Sequence, residues 1–123
     1  MRVIRALLVV AHGSRRTASN EEVRQLADEL RQAAGDAYEH VECAFLELAA
    51  PSIPDGIDCC VQRGATEVVV LPYFLSAGRH VVKDIPEIVA ESQARHPSVT
   101  LRIAPYLGQA TTLVSSLLEL SNK

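Results

Sequence analysis

Two apolar rhythms alternate along this 123-residue chain, one continuous and one with helical period. Ile4 to Ala11 is a nearly unbroken apolar, β-branched run, the pattern of a strand buried on both faces. In the next segment, SNEEVRQLADELRQAAG, Val23, Leu26, Ala27, Leu30 and Ala34 recur at helical spacing. Ser19 and Glu22 stand at capping-box distance there, and Gly35 offers a left-handed stop. Val41 to Leu48 predicts a second strand. PSIPDGIDCCVQRG predicts a shorter helix with Pro54 in its first turn, Ile53, Ile57, Cys60 and Val61 on one face, and Gly64 at its end. TEVVVLP is a third buried strand, halted by Pro72. HVVKDIPEIVAESQARH predicts a third helix with Val81, Val82, Ile85, Ile88 and Val89 inward; Pro86 marks either a kink or a first turn beginning near Asp84. Val99 to Ala104 is a fourth strand. Gln109 to Leu120 is a closing helix with Ala110, Leu113, Val114, Leu117 and Leu118 inward.

Four β-α units in succession predict an α/β fold of three layers, α/β/α, on a four-stranded parallel sheet. With no linker, low-complexity tract or break in composition, residues 1–123 are expected to form a single domain. In such sheets ligands bind beyond the carboxyl ends of the strands, near the point where strand order reverses. The first strand delivers His12, Gly13, Ser14, Arg15 and Arg16 to that rim, and the second delivers Glu47. The third delivers Ser76, Gly78, Arg79 and His80, and the fourth Tyr106 and Gly108.

Charge narrows the partners. Twelve basic against fifteen acidic side chains leave a net charge of −3 with no Lys/Arg block, so neither nucleic acid nor an anionic membrane is an expected partner. An anionic ligand must be met locally. The opening MRVIRALLVVAHG has a secretory flavour but no cleavage site and reads better as a strand; no segment has the length of a membrane span. Cys43, Cys59 and Cys60 lack C-x-x-C pairing and read as packing residues, and the cytoplasm is the expected location.

Each rim residue is open to a plainer reading. His12 alone is compatible with a satisfied polar residue; with His80 on the same rim it forms an imidazole pair suited to a first-row divalent metal. Glu47, closing an apolar strand, is either a cap for the next helix or part of a site. Arg15, Arg16, Arg79 and Lys83 are either ordinary surface charge or a carboxylate- or phosphate-binding cluster. His40 and His96 are expected to be solvated. Phosphate loops, G-x-G-x-x-G, G-x-S-x-G and H-E-x-x-H are absent from the sequence.

The segments AHGSRR, NEE, AFLELAAPSI and VVVLPYFLSAGRHVVKDIPEI, in this order and spacing, resemble the short CbiX-type sirohydrochlorin chelatases, class II tetrapyrrole metal chelatases of cobalamin and sirohaem synthesis. The likeness covers roughly residues 6 to 106. It implies insertion of a divalent metal, Co2+ or Fe2+, into sirohydrochlorin without an organic cofactor; Ni2+ suits the same ligands. It further implies that His12 and His80 hold the incoming metal and accept pyrrole protons, with Glu47 assisting. Displacing two N–H protons calls for a weak metal ligand that is also a base near neutral pH, which imidazole is and a closed thiolate cage is not. Arg15, Arg16, Arg79 and Lys83, the hydroxyls of Ser14 and Ser76, and backbone N–H groups around Gly13 and Gly78 are candidates to hold the carboxylates of the macrocycle. Leu46, Phe74, Leu75 and Tyr106 are candidates for an apolar wall. Longer members of the family carry two such halves in tandem, so a homodimer is expected here. A non-catalytic metal or tetrapyrrole carrier using the same rim is the alternative.

Overall fold

The computed structural model, which describes residues 2–123, is an α/β fold on a four-stranded parallel sheet; Met1 of the expected domain lies outside the described residues. The strands are β1 (Arg5–Ala11), β2 (His40–Phe45), β3 (Glu67–Pro72) and β4 (Thr100–Ile103), in spatial order β2-β1-β3-β4. The helices are α1 (Thr17–Ala34), α2 (Ile53–Gln62), α3 (Ile85–Arg95) and α4 (Leu113–Ser121). Successive side chains of a strand point to opposite faces. Ala6, Leu8, Val10, Val68 and Val70 therefore pack with Ile57, Ile85 and Val89 beneath α2 and α3. Leu7, Val41 and Val69 pack with Ala27 and Leu30 beneath α1. From β1 the chain steps one way to β2 and then returns to β3 on the other side, so strand order reverses at β1. Among the described residues, no helix is long and apolar enough to cross a membrane.

The structure corrects several local expectations. Ser19 does not cap α1, which begins two residues earlier, at Thr17, with no side-chain cap. The start is fixed instead by buried Asn20, whose Oδ1 accepts from Ser14 N at 3.0 Å and whose Nδ2 donates to Ser14 O at 2.7 Å. One carboxamide thus satisfies both backbone groups of the residue that turns the chain. Strand β2 stops at Phe45 rather than Leu48, because residues 46–51 bend away and Leu48 takes a positive φ of 66°.

Pro86 sits in the first turn of α3, but the helical path starts earlier, as a π turn over His80–Asp84. Proline removes an N–H and crowds the carbonyl four residues before it; widening the turn, with Ile85 N bonded to His80 O, makes room for the ring. The wider turn also leaves Val82 65% exposed, so neither it nor half-buried Val81 is the core residue expected.

His96 is not solvated. Its Nε2 lies 2.7 Å from Asp58 Oδ1, and Arg95 Nη2 reaches the same oxygen at 2.9 Å, clamping the end of α3 to α2. These bonds, His96 first and Arg95 second, hold the Asp58 carboxyl below the usual range. The largest departure is α4. None of its residues is buried, and Val114, Leu117 and Leu118 are each more than half exposed, contrary to the inward face expected of them, as is Leu120. Of the thiols, Cys60 is in the core, where burial pushes it up to about 12, and burial also raises half-buried Cys43. Cys59 is exposed and is not the packing residue expected.

Candidate active site

His12 follows β1 directly and His80 opens the π turn after β3, so both sit where strand order reverses. Their rings meet edge to face, centroids 4.8 Å apart and planes inclined by 63°. Glu47 joins them because the backbone ladder continues past the strands: Leu46 N donates to Ala11 O at 3.0 Å and Glu47 N to His12 O at 3.1 Å. The approach depends on Gly13, whose φ is +94°; a Cβ there would stand 1.8 Å from Glu47 O. Only a residue without a side chain lets the two loops come this close. Glu47 Oε1 lies 3.7 Å from His12 Nε2, beyond a hydrogen bond, and both side chains are about half exposed.

Hydrogen bonding fixes what each imidazole offers. His12 Nδ1 is 3.0 Å from the carbonyl of Gly13, which can only accept, so Nδ1 carries the hydrogen and Nε2 the lone pair. His80 Nδ1 is 2.8 Å from Asp84 Oδ2, so here too the carboxylate takes the Nδ1 hydrogen and Nε2 is left as acceptor. Each ring, tied back through Nδ1, thus turns its Nε2 to one rim, where a neutral imidazole offers a lone pair. Asp84 and Glu87 were not among the residues expected; with Leu46, Glu47, His80 and Ile88 they line a shallow hollow of ≈270 Å3. Their spacing, four and seven residues after His80, was the available signal, since it repeats on one helical face. Among the described residues no three His, Cys, Asp or Glu side chains gather tightly enough to form a ready-made metal cage.

The expected anion-binding residues are less converged. Ser14 Oγ accepts from Arg16 N at 3.0 Å and so helps shape the turn. Arg79 Nε approaches Asp84 Oδ1 at 4.0 Å, alongside His80. Ser76, Gly78 and Lys83 are exposed beside them, and Arg15, Arg16 and Lys83 form no ion pair among the described residues. Of the candidate wall, Leu46 and Phe74 are partly buried against the core, whereas Leu75 is 69% exposed.

Residues 6–123 match the family model CbiX. The chain is 39% identical over 108 residues to the chloroplastic sirohydrochlorin ferrochelatase of Arabidopsis thaliana, covering 88% of this chain and 47% of that protein. It superposes on the sirohydrochlorin chelatase SirB of Bacillus subtilis subspecies spizizenii, solved in complex with cobalt, with a TM-score of 0.87 at 29% identity, covering 98% of this chain and 50% of that one. It also superposes on the CbiX protein of Marinobacter aquaeolei VT8, with a TM-score of 0.82 at 29% identity, covering 96% and 94%. The chain spans less than half the length of the ferrochelatases it matches.

Proposed function

The chain belongs to the CbiX family, and from that membership we propose that it inserts a divalent metal ion, Co2+ or Fe2+, into sirohydrochlorin. The observation that carries the reading is the His12–His80 pair, with each Nδ1 tied back and each Nε2 free. The metal is a substrate here. Neutral imidazole nitrogens hold a first-row dication well enough to strip part of its hydration, and two ligands release it more readily than four. As the dication enters the ring it displaces two N–H protons. The nitrogens it vacates and the Glu47 carboxylate stand ready to take them, so the same groups serve as ligand first and base second.

Arg15, Arg16, Arg79 and Lys83, with Ser14, Ser76 and the N–H groups near Gly13 and Gly78, hold the macrocycle's carboxylates in this reading. No organic cofactor takes part, and residues 1–123 act as one domain in the cytoplasm. A hollow of ≈270 Å3 is too small to surround a tetrapyrrole, since sites that bury a ligand run to roughly 300–1,000 Å3. A second copy of the chain therefore supplies the other wall, as a homodimer.

The test is spectral. Purified protein given sirohydrochlorin and Co2+, or Fe2+ without oxygen, is expected to speed the absorbance change of metal insertion well above buffer. His80→Ala is expected to lose that gain by about 100-fold or more. If wild type binds ring and metal but turns over no faster than buffer, the protein is a carrier instead.

A further inference from the structure

Parallel sheets need both faces covered, yet among the described residues only α1 lies on the face opposite α2 and α3. Beside it, over β1 and β3, runs a hollow of ≈540 Å3 walled by Val9, Leu26, Leu30, Leu71, Tyr73 and Tyr106. The chain also holds the converse feature, an apolar helix with nothing to cover. At 100° per residue, Leu113, Val114, Leu117, Leu118 and Leu120 of α4 form one stripe, broken only by the terminal Ser121, with Ser115, Ser116 and Glu119 on the far side. A helix of nine residues is too short to persist in water without packing.

We propose that two copies of this chain pair by exchanging α4, each copy's helix lying in the apolar groove of the other. The helix does not occupy its own groove, although Gln109 and Ala110, just before it, stand at the groove's edge. Its point of departure is pinned: Gly108 N donates to Phe74 O at 3.0 Å, and a Cβ on Gly108 would stand 1.9 Å from Leu75 O. From there only Ala110–Thr112 separate the last 3-10 turn from α4, a reach of about 10 Å. A donated helix stays near its own carboxyl rim, so the exchange brings the two rims side by side. It rests on the pairing proposed above, not on the reaction.

The occupant is settled by light scattering without metal or tetrapyrrole, so the outcome is independent of whether metal insertion is seen. Wild type is expected at twice the 13.3 kDa chain mass. A helix variant, Leu117→Glu with Leu118→Glu, and a groove variant, Leu26→Glu with Leu30→Glu, are each expected at one chain mass. Their equimolar mixture is expected to regain the doubled mass, because the groove variant's intact helix fits the helix variant's intact groove. Circular dichroism checks that both fold, and Leu30→Gln replaces the groove variant if it does not. A wild type of one chain mass overturns the proposal, as does a pairing unaffected by the helix variant. So does a mixture that stays at one chain mass, which is the result for a helix folding back on its own groove.

Discussion

Asp84 governs how His80 presents itself. The carboxylate 2.8 Å from Nδ1 selects the tautomer and fixes the ring plane while leaving Nε2 unengaged. Asp84→Asn keeps the shape but offers an amide that can turn its N–H toward the ring. It is expected to raise KM for the metal or lower kcat by about 10- to 100-fold, while the thermal unfolding midpoint stays within a degree or two; steady-state kinetics beside a melting curve check both. His12, His80 and Glu47 were legible in the sequence because an apolar run ends where a sheet ends, so the polar residues just beyond it had to share a rim. Asp84 and Glu87 were not, because acids on a predicted helix are indistinguishable from its solvated face until the turn before them is known to be widened. Gly13 is the converse case: its presence after a strand was visible, but the 1.8 Å clash it avoids exists only between two loops.

At the scale of elements, the strands and three helices followed from apolar period, since burial against a sheet leaves few other solutions. Their ends followed tertiary rules instead, as Asn20 and the π turn before Pro86 show. The clamp between α2 and α3 has a measurable signature. The Asp58 carboxyl is held low in the folded chain by His96 and Arg95. Its contribution is therefore complete above the pKa of a free aspartate, about 3.9, and fades as pH falls through the lower folded value. Asp58→Asn is expected to destabilise by under about 1 kcal/mol at pH 6, the group being partly exposed, and the difference is expected to shrink below pH 4; urea midpoints across that range check it. Helix α4 was the element most misread. Its period was correct, but periodicity tells that a stripe is apolar and not whether the sheet of its own chain covers it.

For the whole molecule the balance of charge is acidic, at −3, while Arg15, Arg16 and Lys83, which form no ion pair among the described residues, follow the two histidines within four positions in sequence. The proposed substrate, a polyanion, would then have to be captured by a few residues against an overall repulsion. Replacing Arg15 and Arg16 together by Ala is expected to raise KM for sirohydrochlorin about five- to tenfold with kcat little changed. Added salt at 0.5 M is expected to move wild type the same way, and more than the variant. Gly108 joins these scales. Its backbone is latched to Phe74, in the loop that leads to Ser76, Arg79 and His80, and α4 begins five residues later, at Leu113. In the exchange proposed above, a tug on the departing segment would act first on the loop that leads to His80, so partnership and readiness to react would be geared together, and a solitary chain would have slack in that strap.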